Sequence, residues 1–297
     1  MRVLTHTVIE AEAGQPVKQL LLHLWGISGS FLSRLKFRQA ITVNGAPVTV
    51  RFVPCPGDVL AADVSDLPGE HPHIRPVDFP LDILYEDEDL LLINKPAGIA
   101  VHPAALTEET ATIAGAAAHY LHSESFHAVN RLDRGTTGVM AVAKTGFIHA
   151  RCMAMLHTDD FRREYRAVCE GIPSPAEGDI DLPIGRAESS LLKRQAAPLG
   201  QQLAHTHYEV LAASQGRALL RLTPTTGRTH QLRVHMAAIG HPLTGDWLYG
   251  TEDRALIARP ALHSYHLRMM HPLTGTTIDV TAPLPEDIQR LLKEERL

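Results

Sequence analysis

The chain has 297 residues, of which 44% are hydrophobic and 21% charged, with a net charge of −5 at pH 7. This excludes the low-hydrophobicity class that stays disordered, and the length suits one large domain or a large one with a small companion. Apolar runs such as Leu20 to Leu22 and Leu90 to Ile93 fall far short of the roughly 20 residues that cross a bilayer. Met1 to Glu10 lack the continuous apolar core of a secretory signal, so a cytoplasmic protein without membrane contact is expected. The negative balance argues against indiscriminate nucleic-acid binding, which rewards many cations, but not against local basic patches. Four such clusters occur: Arg34, Lys36 and Arg38; Arg131 and Arg134; Arg162, Arg163 and Arg166; Lys193 and Arg194.

Helical spacing at Val17, Leu20, Leu21 and Leu24 predicts a helix over Pro16 to Trp25. A second short helix follows Ser28 or Ser30 as N-cap. Ile41 to Val43, the turn Asn44-Gly45 and a return over Val48 to Phe52 form a hairpin, and Pro56-Gly57-Asp58 introduces a strand at Val59-Leu60. Residues 1–65 thus read as a small α/β module. The proline-rich stretch 66–80 has linker composition, and 81–297 form the second domain. In that domain strands are expected at Asp82 to Glu86, Leu90 to Ile93, His127 to Leu132, Gly138 to Ala143, Arg163 to Cys169, His205 to Ala212, Arg217 to Leu222, Leu262 to Leu267 and Thr276 to Thr281. Helices are expected at Glu108 to His122, Thr145 to about His157 and Thr229 to Ile239, the last stopped by Gly240. Strands on short links with occasional helices give an α+β fold on a mixed, largely antiparallel sheet with flanking helices.

Cys55, Cys152 and Cys169 are too widely spaced for a disulfide framework or a metal knuckle. Eighteen histidines include the groups His205/His207, His230/His235 and His263/His266/His271, but no metal-ligand signature accompanies them. No metal or organic cofactor is implied. The most informative stretch is Asn130-Arg131-Leu132-Asp133-Arg134-Gly135-Thr136-Thr137-Gly138, between two strand-like runs. An acid between two arginines on a framed polar loop suits a nucleophile or base, but by itself the segment reads first as a capped turn with solvated arginines.

NRLDRGTTG resembles the HRLDxxTSG motif of RluA-type pseudouridine synthases, and further segments similar to that family follow in order. They are Asn94-Lys95-Pro96-Ala97-Gly98 with Val101-His102, Arg163-Glu164-Tyr165-Arg166-Ala167-Val168, and Thr226-Gly227-Arg228-Thr229-His230-Gln231-Leu232-Arg233-Val234-His235. GHPLTGD at Gly240 to Asp246, Leu262-His263 and a second HPLTG at His271 to Gly275 complete the series, which spans roughly 81 to 283. This chain departs at Asn130, where the family has His, at Thr137 for Ser, and at Arg163 for Lys.

The resemblance implies an isomerase that converts uridine to pseudouridine in structured ribosomal or transfer RNA, with Asp133 as the catalytic aspartate. It implies that Tyr165 stacks on the base and helps remove a proton from carbon 5, that Arg233 pairs with Asp133, and that Arg131 enters the RNA where the base leaves. Arg134, Lys95 and Arg228 join the RNA-binding set, Lys95 from a defined loop. Arg228, near a helix N-terminus that disfavours a cation, hints at an anionic partner. The N-terminal module resembles the small S-four-type RNA-binding domain through Ser30, Arg34, Lys36, Val43-Asn44-Gly45 and Pro56-Gly57-Asp58, making Arg34 and Lys36 an auxiliary RNA patch with Arg38. A monomer is expected. The alternatives are a catalytically silent RNA binder and a carboxylate hydrolase of another glycosidic bond, which needs a second acid roughly 5–9.5 Å from the first.

Overall fold

A computed structural model describes residues 1–67, 74–103, 111–123, 125–187, 190, 193–196 and 202–297. In the N-terminal module, strand β1 (Val3–Thr7) precedes helices α1 (Val17–Trp25) and α2 (Gly29–Phe37) and strands β2 (Ile41–Val43), β3 (Ala46–Pro47) and β4 (Val59–Asp63). Helix α1 buries Val17, Leu20 and Leu21 and ends at Gly26, whose φ of 59° is the left-handed stop that glycine supplies best. Ser28 caps α2, its hydroxyl accepting from the Phe31 N–H. Asn44 and Gly45 both have positive φ, as a two-residue hairpin turn requires. The return strand is only β3, not the expected Val48 to Phe52. The carbonyls of Val50 and Phe52 instead accept from the N–H groups of Lys18 and Val17, at 2.9 and 2.8 Å, satisfying donors that the first turn of α1 leaves unpaired. β1 was not legible either: it exists as the antiparallel partner of β4, in a sheet ordered β1-β4-β2-β3.

The remainder runs β5 (Ile83–Glu86), β6 (Leu90–Lys95), α3 (Ile113–Tyr120), β7 (His127–Ala128), β8 (Thr137–Ala143), α4 (Gly146–Met155), β9 (Phe161–Glu170), β10 (Glu177–Asp181), β11 (Ile184–Arg186) and β12 (Arg194–Ala196). It continues through β13 (His205–Ser214), β14 (Arg217–Pro224), α5 (Gln231–Ala238), β15 (Leu262–Met270), β16 (Thr277–Thr281) and α6 (Glu286–Glu295). Ten of these strands form one sheet, with the path β10-β13-β14-β9-β15-β8-β6-β5 and with β16 on β15 and β7 on β8. Its pairings are antiparallel except β15 with β8. Both faces are covered, so β8 is buried throughout and β6 at every position but half-buried Asn94, and both carry continuous apolar runs. Leu90, Leu92, Val139 and Ala141 join the core shared with α4 and the N-terminal module; Leu91, Ile93, Met140 and Val142 join the core under α3 and α5.

Three expected elements change for local reasons. The strand expected over His127 to Leu132 stops at Ala128 because the side-chain oxygen of Asn130 takes the Ala141 N–H at 2.8 Å, and the chain then leaves the ladder. The helix expected from Thr229 starts at Gln231, because His230 is left-handed with φ of 60°. Helix α3 begins after Thr112, whose hydroxyl caps Gly115; residues 108–110 of the expected helix lie outside the described residues. The stretch 66–80 is no free tether where it is described, residues 68–73 lying outside. Asp66 accepts from the Gly146 N–H at the start of α4 and meets His127 at 2.8 Å, Ile74 is buried, and the Val77 N–H donates to Gly115.

The parallel contact of β15 with β8 fixes the end of the NRLDRGTTG segment. Gly138 has φ of 106°, and a Cβ there would lie 2.1 Å from the Ser264 carbonyl oxygen, so only glycine fits. Beside it, fully buried His263 meets Thr137 Oγ1 through Nδ1 at 2.8 Å and the Ala282 carbonyl through Nε2 at 3.3 Å. A carbonyl only accepts, so Nε2 carries the proton and the Thr137 hydroxyl donates to Nδ1. Burial, reinforced by Arg259, pushes the His263 pKa down to about 4 from 6.5. Between these values the unfolded chain binds the extra proton, so the stability contributed by neutral His263 is present above pH 6.5 and is lost as pH falls through about 4. His263→Gln should therefore make unfolding free energy shallower in pH across that window, by at most about 1.4 kcal/mol per unit; identical slopes in denaturant titrations of both proteins would refute this.

Candidate active site

The loop from Val129 to Thr136 connects β7 to β8 and carries Asp133. Its geometry is set from beneath by two buried cations. The Lys95 ammonium, with no exposed surface, donates to the carbonyls of Pro96, Arg134 and Thr136 at 2.8, 3.2 and 3.0 Å. Arg259 donates to the Gly135 carbonyl at 3.0 Å and is itself held by Asp287 through two bonds of 2.7 and 2.8 Å. Three successive loop carbonyls are thus pinned, and the Gly98 N–H adds a bond to Arg134 while Thr136 N–H closes a turn onto Asp133. Burial, with Arg259 nearby, pushes the Lys95 pKa down to about 7. The expectation that Lys95 faces RNA phosphate is corrected: all three of its donors point at backbone inside the protein.

Asp133 opens into a cleft of about 800 Å³ whose walls include Tyr165, His230, Leu232 and Arg233, with Arg131, Arg134 and Arg228 also lining it. Arg131 and Arg134 are exposed. Arg131 has no side-chain hydrogen bond or ion pair among the described residues. Asn130 points inward, its oxygen committed to Ala141 and its side-chain nitrogen buried without a hydrogen-bond partner. Tyr165 sits on β9, 6% exposed, and burial raises its pKa, so the phenol stays protonated. Arg163, two residues earlier on the same face, donates to the carbonyls of Pro224 and Thr226 and so braces the turn into α5.

Arg233 does approach Asp133, but only at 3.5 Å through Nη1. Its main partner was not anticipated: Asp246, fully buried, takes Nε and Nη2 in a two-pronged contact at 2.7 Å each. Asp246 also accepts from the N–H groups of Leu248 and Tyr249. Desolvation opposes the charge on Arg233, yet Asp246 overcomes it and the pKa rises. The only hint of Asp246 in the sequence was its place in the GHPLTGD segment; nothing signalled Arg259.

His230 forms a second link. The Arg194 N–H donates to the Tyr249 oxygen at 2.8 Å, which leaves the Tyr249 hydroxyl to donate to His230 Nδ1 at 2.9 Å. His230 then carries its proton on Nε2, 4.0 Å from Asp133 Oδ1, and burial lowers its pKa so that the ring is neutral. His235, expected as a packing or hydrogen-bonding residue, bridges Thr206 and the Leu182 carbonyl. No group of three or more potential metal ligands exists among the described residues.

Arg34 and Lys36 are exposed on α2, away from the cleft lining. Arg38 does not extend their patch: it donates to the Ser65 carbonyl at 2.7 Å and faces Asp63. Arg228 has a neutral tie, from Nε to the Leu203 carbonyl at 3.0 Å.

Asp246→Asn would leave the buried Arg233 guanidinium with only the one-sided contact to Asp133 at 3.5 Å as counter-charge. The expected loss is about 3–5 kcal/mol of unfolding free energy. Denaturant melts check this, and a loss under about 1 kcal/mol would show that the pair adds no stability on this scale.

Residues 89–238 match the sequence profile of the RNA pseudouridylate synthase family. The chain is 41% identical over 275 residues to an uncharacterized RNA pseudouridine synthase of Bacillus subtilis, YjbO, covering 91% of this chain and 96% of that one. It is 36% identical over 311 residues to the ribosomal large subunit pseudouridine synthase D of Escherichia coli K12, covering 99% and 94%. The solved structure of human RNA pseudouridylate synthase domain containing 4 superposes with a TM-score of 0.59 at 26% identity, covering 72% of this chain and 93% of that one. With half its length matching the family profile and close relatives spanning nearly its whole length, the chain belongs to the RluA-type RNA pseudouridine synthases.

Proposed function

We propose that Asp133 is the nucleophile of uridine isomerisation, and that the substrate is a uridine of large-subunit ribosomal RNA. The observation that carries the first part is the carboxylate itself, 26% exposed at the floor of a cleft whose volume suits a flipped nucleotide. A base inside a helix is unreachable until it is flipped, and exposed Arg131 at the cleft lip is the residue to fill the space it leaves. The relatives named as large-subunit synthases support the choice of RNA.

In this reading an Asp133 oxygen attacks C1′ of the sugar as the N-glycosidic bond breaks; the freed uracil anion turns, carbon 5 bonds to C1′ as Asp133 leaves, and the carbon-5 proton is then lost to solvent while N1 takes one up. Tyr165 stacks on the base. Its protonated phenol favours that part of its expected role over proton removal as a phenolate. Leu232 supplies apolar wall, and Arg233 offers a positive charge beside Asp133 without covering it. Residues 1–65 act as an S-four-type RNA-binding module, with Arg34 and Lys36 as its phosphate contacts, joined by 66–80 to the catalytic domain 81–297. The enzyme works as a cytoplasmic monomer without metal or organic cofactor; among the described residues no helix is long and apolar enough to cross a membrane.

Asp133→Asn keeps shape and hydrogen-bonding capacity while removing the nucleophilic oxygen. The variant should fold, bind unmodified ribosomal RNA with unchanged affinity, and release no tritium from carbon-5-labelled uridine. Wild-type release by the variant would remove Asp133 from the chemistry. Loss of RNA binding together with release would favour a structural role.

A further inference from the structure

A second cavity, of about 260 Å³, adjoins the cleft and shares Arg228 and Thr229 with it. Two more arginines line it, Arg186 and Arg194, and these face each other directly in the β11–β12 ladder. Like charges directly opposed across two strands are destabilising. The Nη1 atom of Arg194 is buried with no hydrogen-bond partner. Among the described residues none of the three arginines has an ion-pair partner, and the side chain of Arg228 makes only its bond to the Leu203 carbonyl. In a chain of net charge −5, three guanidinium groups lining one cavity with no carboxylate among the described residues that line it call for an anion from outside.

We infer that this cavity holds a phosphodiester of the substrate RNA strand, close to the target nucleotide. Its position relative to the chemistry follows from bonded links. The Arg194 N–H reaches the Tyr249 oxygen at 2.8 Å, Tyr249 reaches His230 at 2.9 Å, and His230 lies 4.0 Å from Asp133. A phosphate between Arg186 and Arg194 turns their repulsion into two attractions and gives Arg194 Nη1 an acceptor. Arg186 and Arg194 then hold the strand at this point, and register rather than base identity is what they read. The site rests on the RNA-modifying role proposed above.

The test uses the full-length enzyme and a synthetic RNA oligonucleotide that carries a uridine the wild type modifies. Single neutral methylphosphonates are placed at each phosphate around that uridine. One position should weaken wild-type binding, and the same substitution should have no further effect on Arg186→Gln/Arg194→Gln. That double variant should lower the log–log salt slope of binding by roughly 0.7–0.9 per lost phosphate contact. Its melting temperature should stay level or rise, because an unfavourable charge pair has gone. Penalties equal in both proteins at every position would overturn the site, as would an unchanged slope or a lowered melting temperature that accounts for the weakened binding. If inorganic phosphate at constant ionic strength saturates an effect that the double variant lacks, while no methylphosphonate couples to the arginines, the cavity is a free-anion site and the RNA assignment falls. Absence of tritium release from any RNA by the wild type would instead overturn the parent reading.

Discussion

The site depends on three consecutive carbonyls, those of Arg134, Gly135 and Thr136, being held by two buried cations, Lys95 and Arg259. A loop next to a reacting group normally fluctuates, because its backbone groups can exchange partners with water. Here Lys95 and Arg259 occupy the inner side of the loop, and neither is free to leave: Lys95 ends a strand paired to β8, and Arg259 is gripped by Asp287 on α6. The position of Asp133 is therefore an outcome of the sheet and of the C-terminal helix together. Residues far apart in the chain converge on one turn, which is how a rigid frame aims a short polar loop.

The same frame makes the N-terminal module part of the body. Its Leu20, Leu21, Leu35 and Leu60 belong to one core with Val139, Phe147 and Phe161. Arg2 grips Asp89 with two bonds of 2.7 and 2.9 Å, and Arg151 reaches the Trp25 carbonyl. An apolar face shared in this way is not exposed without a large loss of buried area. The module therefore presents α2, with exposed Arg34, Lys36 and Phe37, at a fixed angle to the sheet. In the RNA-binding role proposed for α2, a contact on a rigid arm adds register to affinity, whereas one on a flexible tether adds mainly local concentration.

How much of this was legible in the sequence follows physical lines. Elements with an unbroken hydrophobic pattern, such as α1, β6 and β8, were visible because burial writes their period directly. The expected α+β fold and mixed sheet match the structure. Elements that exist only through partners were not visible: β1 needs β4, β11 needs β12, and α6 has a thin apolar stripe of Ile288 and Leu291 on an otherwise charged helix. The expected site divides the same way. Asp133, Tyr165 and Arg233, which lie in three separate segments of the chain, line one cleft. Lys95 reads as an RNA contact because Pro96 and Gly98 after it suggest a defined polar loop, and only the fold shows that three backbone carbonyls occupy its ammonium. Asp246 and Arg259 form no local pattern with their partners, 13 residues away for Arg233 and 28 for Asp287. Long-range ion pairs leave no period in a sequence.

The asymmetry at Arg233 matters most for the chemistry. A guanidinium offers a planar fork, and the partner that takes the fork fixes its orientation. Asp246 takes it, with help from two backbone N–H groups that hold the carboxylate in turn. What remains for Asp133 is one Nη1 edge at 3.5 Å, too long for a strong bond but near enough for a charge interaction in a partly buried place. Had Asp133 taken the fork, both its oxygens would be occupied and its rotamer locked away from the cleft. Because a different, buried acid carries the pairing, the nucleophile of the proposed reaction keeps a lone pair free toward substrate and still lies in a positive field. His230, neutral and 4.0 Å from the other oxygen, extends this arrangement with a proton that approaches Asp133 without neutralising it.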